Sequence, residues 1–215
     1  MLYLDKNGFS DALHRYVAQG GHFVTSYFSG YADDTDLVRL GGYPASWKDL
    51  LGVWVEESDA LPPDVENHFS YNGVRHACHI LCDLMHPLDD TVEILGAYEE
   101  DFYRNMPVVT RHPFGKGACW YVGTRSDEAF YRAFVSDVCR ESGIAPLAEA
   151  PLEVEVTRRE NENGVFLFLL NHSDAPQELA LPVGGTDLLT GTSYRKGETL
   201  HLAPAQVVIL SQQDK

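Results

Sequence analysis

The chain has 215 residues, with 16 Lys+Arg against 32 Asp+Glu and a formal net charge of −16; so acidic a surface argues against nucleic acid and anionic membranes as partners, because both repel it. With 44% hydrophobic and 11% aromatic residues, the chain can build one large core or two small ones, which excludes disorder. Its length excludes a complete (β/α)8 barrel beside anything else, since that fold takes typically about 250 residues.

No apolar run reaches the ~18 residues of a membrane span. Met1 is followed by Leu-Tyr-Leu-Asp rather than by the basic stretch and apolar run of a secretory signal, so a soluble, cytoplasmic protein is expected. Cys78, Cys82, Cys119 and Cys139 are too sparse for a disulfide scaffold and read as reduced, mostly buried thiols.

In chain order, Phe9, Ala12, Leu13, Tyr16 and Val17 form one apolar stripe at helical spacing, and Gly20-Gly21 supplies the stop. His22–Tyr27 follows as a short buried strand, and a helix feeding such a strand is the step of a parallel sheet. From Phe28 to Pro63 the pattern dissolves into Gly, Asp and Pro, although Leu50, Leu51, Val53, Trp54 and Val55 are too apolar for a free loop. Long irregular excursions after a strand are where α/β proteins place contact surfaces. Strands are expected over 74–84 and 92–98, and a hairpin over 107–111 and 118–122 around the turn Pro113–Gly117. Ser126 as N-cap, Asp127 and Glu128 in the first turn, an apolar face of Phe130, Phe134 and Val138, and Gly143 as the stop define a second helix. Beyond the boundary at Pro146–Pro151 only short strands follow, with Asn163-Gly164 as a hairpin signal and glycines at the spacing of a small β-sandwich.

The densest polar cluster is His76, Cys78, His79, Cys82 and His86. Zinc favours these residue types, but on a strand they spread at about 3.3 Å per residue, and on a helix only His79, Cys82 and His86 align, without a fourth ligand. Buried thiols and ordinary histidines are the reading, and neither metal nor cofactor is expected. Ser26 and Ser29 follow a strand but lack the G-x-S-x-G setting of a nucleophile. Gly41-Gly42 and Gly115-Lys116-Gly117 match no phosphate-binding pattern. The acidic pairs at 33–34, 56–57 and 89–90 and the run at 99–101 read as solvated surface, and no catalytic pair stands out.

Several strings in order do carry a resemblance. Gly20-Gly21-His22-Phe23-Val24, Asp36–Pro44, Asp49–Glu57, Asp101-Phe102-Tyr103, Pro107–Arg111, and Phe114–Gly117 through Trp120–Thr124 are similar to the trimerisation domain of the family 42 glycoside hydrolases, the bacterial β-galactosidases. Phe168–His172 and Asp187–Gly191 are similar to that family's small C-terminal β-domain. The resemblance implies an α/β fold: a truncated flavodoxin-like, class I amidotransferase-like three-layer sandwich over 1–147, then an all-β sandwich over 148–215. It also implies that the chain begins inside the middle domain. The family's acid/base and nucleophile glutamates stand on a barrel absent here, so no catalytic residue is carried over.

The resemblance implies a non-catalytic role in a homotrimer, walling the neighbouring active site, with galactoside met only in the context of the barrel. Phe28, Tyr31, Leu37, Leu40, Tyr43 and Trp47 are the candidate subunit contacts, as large apolar groups in a Gly/Asp/Pro-rich stretch. The alternative is an independent carbohydrate-binding module, for which Trp47, Trp54 or Trp120 would have to expose a ring face to stack on sugar. A stand-alone amidotransferase-like hydrolase is a third reading, opposed by the missing nucleophile.

Overall fold

The computed structural model describes residues 2–212. The chain divides into two compact units, up to Ser142 and from Gly143 onward, a few residues before the expected boundary. The division falls where helix Glu128–Glu141 ends and Gly143 takes φ +68°.

The first unit runs α1 (Phe9–Ala18), β1 (His22–Ser26), a 3₁₀ turn (Ala45–Trp47), α2 (Lys48–Leu51), β2 (Val53–Ala60), β3 (Asn67–Tyr71), β4 (Val74–Pro87), β5 (Glu93–Ala97), β6 (Pro107–Phe114), β7 (Gly117–Val122), β8 (Thr124–Arg125) and α3 (Glu128–Glu141). One sheet has the order β1-β7-β6-β5 and a second the order β2-β4-β3, with β8 also on β4. The expected parallel step exists as β1 beside β7, with His22 opposite Ala118. The other ladders of this unit are antiparallel; for β3–β4 and β6–β7 the tight turn between the strands requires it, since such turns reverse the chain. Among the described strands, parallel pairing in this unit is therefore confined to β1–β7.

Alternation along β7 sets the layers. Ala118, Trp120 and Val122 pack with Phe130 and Phe134 of α3, while Cys119 and Tyr121 pack with Leu13 and Val17 of α1 and Leu50 and Leu51 of α2. The α3 cap is Asp127, one residue after the expected Ser126; its carboxylate accepts from the Phe130 N–H at 2.7 Å. At the β6–β7 turn, a Cβ on Gly115 would stand 2.6 Å from Ala18 Cα and one on Gly117 would stand 2.0 Å from the Gly21 carbonyl. These glycines let the hairpin tip seat on the end of α1, which explains them without a phosphate ligand.

The second unit contains β9 (Val154–Asn161), β10 (Gly164–Asn171), β11 (Gln177–Ala180), β12 (Gly185–Asp187), β13 (Ser193–Tyr194), β14 (Thr199–Leu202) and β15 (Val207–Gln212). A five-stranded sheet, β13-β12-β15-β10-β9, accompanies the β11-β14 ribbon. Leu167, Leu169, Leu179, Leu200, Leu202, Val208 and Leu210 fill the core they share. Asn171 and Asp187 of the family-like strings are buried clamps. The Asn171 amide donates to the Ala175 and Ala203 carbonyls at 2.8 and 2.9 Å. Burial would raise Asp187, but donors from Thr190, Ile209 and Leu189 outweigh it and hold the carboxyl below its ordinary value.

Candidate functional site

The segment after β1 is ordered by its own polar groups. Asp33 Oδ1 accepts from Thr35 N at 2.8 Å, Thr35 Oγ1 at 2.7 Å and Leu37 N at 3.1 Å, and the Thr35 and Leu37 bonds hold its carboxyl below the ordinary range. Asp36 takes φ +64°, an αL position that Asp tolerates. Arg39 N donates back to the Tyr31 carbonyl at 2.9 Å, and Ala32 bridges both Leu4 and Val38. The outcome is a tied hairpin that nevertheless presents Leu37 at 68% exposure and Leu40 at 95%.

At the base of the hairpin the aromatic residues associate with each other. Tyr31 stacks on Tyr43 with centroids 3.5 Å apart and planes 8° apart, meets Tyr3 at 6.0 Å, and is met edge-on by Phe28 at 5.3 Å. Phe28, Tyr31 and Tyr43 are half-buried. Trp47 departs from expectation: it is fully buried, with Phe9 and Phe23 edge-on at 5.9 and 6.0 Å. The 3₁₀ turn leading into α2 directs it inward, so Trp47 is core and not a contact residue.

Beneath Tyr31 lies a buried acid that no sequence pattern marked. Asp83, on β4, is 1% exposed. Its Oδ1 accepts from Ser58 Oγ at 2.5 Å and its Oδ2 from the Tyr121 hydroxyl at 2.7 Å, while the Tyr31 hydroxyl stands 3.4 Å from Ser58 Oγ. Burial pushes the carboxyl up to about 6, against the lowering effect of those two hydroxyls.

The histidines of the His/Cys string are dispersed, and only its two thiols meet. His76 is buried against Asp127 at 3.1 Å, His79 pairs with Glu66 at 3.5 Å and His86 with Glu56 at 2.9 Å, while Cys78 and Cys82 lie in the core. Among the described residues no group of three or more His, Cys, Asp or Glu is placed to hold a metal ion. Ser29 is fully buried, with Oγ 2.6 Å from Thr25 Oγ1 and donating to the Ser26 carbonyl at 2.5 Å; it ties a turn. The tryptophans offer no bare ring for a sugar. Trp120 is buried, with His22 stacked at 5.5 Å and the Arg111 guanidinium at 5.7 Å, and half-buried Trp54 stacks on His86 at 4.8 Å.

Comparison with known proteins decides the kinship. The family described as "Beta-galactosidase trimerisation domain" matches residues 1–145, and "Beta-galactosidase C-terminal domain" matches residues 153–212. The chain belongs to the β-galactosidase trimerisation-domain family. It is 38% identical over 218 residues to the β-galactosidase BgaP of Planococcus sp. (strain L4), covering 99% of this chain and 32% of that protein. It is 34% identical to BgaB of Geobacillus sp. (strain Y412MC61), covering 100% and 32%. The crystal structure of β-galactosidase from Bacillus circulans sp. alkalophilus superposes with a TM-score of 0.88 at 36% identity, over 99% of this chain and 32% of that one. The chain therefore spans about a third of the length of these relatives and carries the two C-terminal domains of a family 42 enzyme. Among the described residues, no helix is long and apolar enough to cross a membrane.

Proposed function

We propose that this chain is the non-catalytic C-terminal region of a cytoplasmic β-galactosidase, that it assembles the enzyme as a homotrimer, and that it walls the neighbouring active site. Its domains are 1–147 and 148–215. The parallel β1–β7 pair, flanked by α1 and α3 residues on opposite faces, supports assigning the first to the flavodoxin-like, amidotransferase-like class. The parent reaction is retaining hydrolysis of terminal β-D-galactosides by two carboxylates on the barrel. The observation that carries the assembly role is the tied hairpin holding Leu37 and Leu40 in solvent.

Three copies close without open ends when each contributes the same head-to-tail contact. Light scattering is expected to show self-association toward three copies in moderate salt and dissociation at low salt, where the Debye length grows from about 8 Å to about 30 Å and repulsion between subunits is less screened. The Leu37→Asp/Leu40→Asp double variant should be monomeric with an unchanged circular-dichroism spectrum. A wild-type chain that stays strictly monomeric at high concentration overturns assembly by these domains alone.

The purified chain is also expected to leave a chromogenic β-galactoside intact. Turnover that follows this protein through repurification would refute the non-catalytic reading.

A further inference from the structure

We propose that Asp83, Ser58 and Tyr31 form a hydrogen-bond relay whose direction reverses when the carboxyl takes up a proton, switching the Tyr31 phenol from donor to acceptor. The proposal goes beyond the assembly role and does not need a partner subunit, because its readout is Tyr31 itself.

The geometry fixes the two states. With Asp83 ionised, Oδ1 can only accept, so the Ser58 hydrogen is committed to it at 2.5 Å. Ser58 then faces the Tyr31 hydroxyl, 3.4 Å away, with lone pairs only, and Tyr31 donates. Protonation at Oδ1 makes the carboxyl the donor, Ser58 Oγ its acceptor, and the freed Ser58 hydrogen turns to the Tyr31 oxygen. One proton from solvent is taken up, and no covalent bond other than O–H changes.

The surroundings leave this carboxyl few alternatives. Tyr121 on β7 donates to Oδ2 at 2.7 Å, and in the proposed relay it keeps that bond while the proton goes to Oδ1. Tyr98, beyond β5, donates to the Asp83 main-chain carbonyl at 3.1 Å. On β2 the next acid, Asp59, is engaged by the Tyr103 hydroxyl at 2.8 Å. The titratable groups that face the carboxyl are thus Tyr31, Tyr98 and Tyr121, and burial with the Ser58 and Tyr121 hydrogen bonds sets its proton affinity, without a cation. Desolvation without a counter-charge favours the neutral acid and brings its titration near neutrality. The signal reaches the stack because Tyr31 lies 3.5 Å from Tyr43.

The test is NMR of the full chain with tyrosine labelled with carbon-13 at Cζ, the carbon that bears the hydroxyl, with Tyr31→Phe and Tyr121→Phe used for assignment. Between pH 5 and 7.5, Tyr31 and Tyr121 are both expected to shift with a common midpoint at about 6. In Ser58→Ala, Tyr121 should still titrate, with its midpoint moved up because a hydrogen bond to the carboxylate is gone, while the Tyr31 shift shrinks to the small remainder left by the through-space charge of Asp83. In Asp83→Asn both should be flat. A Tyr31 signal that is flat in the wild type, or that titrates unchanged in Ser58→Ala, overturns the relay; the Ser58 variant decides the matter even if Asp83→Asn does not fold.

Discussion

Replacing Asp83 with asparagine is expected to stabilise the protein at pH 7.5 and to flatten its stability between about pH 4 and 7. The carboxyl is 1% exposed and is held by hydroxyls alone, from Ser58 and Tyr121. Burial raises it from 3.8 to about 6 in the folded chain, so the folded state holds its proton more tightly than the unfolded state does. Its contribution is therefore neutral below 3.8, becomes unfavourable as pH rises towards 6, and stays fully unfavourable above that. The difference corresponds to about 3 kcal/mol at pH 7.5. Asparagine removes the charge and keeps the shape, but one of the two hydroxyls must then accept instead of donate, which costs about 1 kcal/mol. A net gain of about 2 kcal/mol remains at pH 7.5, with little or none at pH 4. Urea unfolding of both proteins at the two pH values measures it, and a variant less stable than wild type at pH 7.5 would show that the bonds to the carboxylate outweigh its desolvation.

That this acid escaped sequence reasoning has a plain cause. Nothing in Cys82-Asp83-Leu84 marks a buried carboxylate, because its partners lie 25 and 38 residues away. Elements whose signal is local were readable. The Phe9–Val17 stripe gave α1, the Phe130–Phe134–Val138 face gave α3, and the two hairpins fell at Gly115–Gly117 and near Asn163-Gly164. β3 was missed although it alternates, because its inward positions begin with a polar Asn67 before Phe69 and Tyr71. β2 was hidden differently: Val53 and Val55 enter the core, and then Glu56 and Glu57 face solvent. Within β4 (Val74–Pro87), Ile80 takes φ +72° and the pairing with β8 shifts register between His79 and Cys82. A β-branched residue gives no hint of that conformation, since it is disfavoured there.

The aromatic-rich excursion shows the same limit, since Trp47 and Leu40 have the same kind of neighbours in sequence and opposite environments in the fold. Trp47→Ala is therefore expected to destabilise the first unit strongly, while Leu40→Ser leaves the stability of the dissociated monomer, at low salt and low protein concentration, unchanged. The indole is fully enclosed; Phe9 and Phe23 meet it edge-on, and a Cβ added to Gly30, at φ +65°, would stand 3.3 Å from its Cε3. Neighbours that close leave little room to collapse into the vacated volume, and truncating such a side chain costs about 3–5 kcal/mol. Leu40, at 95% exposure in the single chain, already stands in water there, and its replacement should change monomer stability by no more than about 0.5 kcal/mol. All three tryptophans, at 47, 54 and 120, lie in the first unit, so the fluorescence of Trp54 and Trp120 still reports its unfolding when Trp47 is gone. Trp47→Phe should recover part of the loss, because it refills the pocket and leaves no indole N–H buried without a partner, as Trp47 Nε1 is now. If Trp47→Ala unfolds at the wild-type urea midpoint, the residue does not hold this core together.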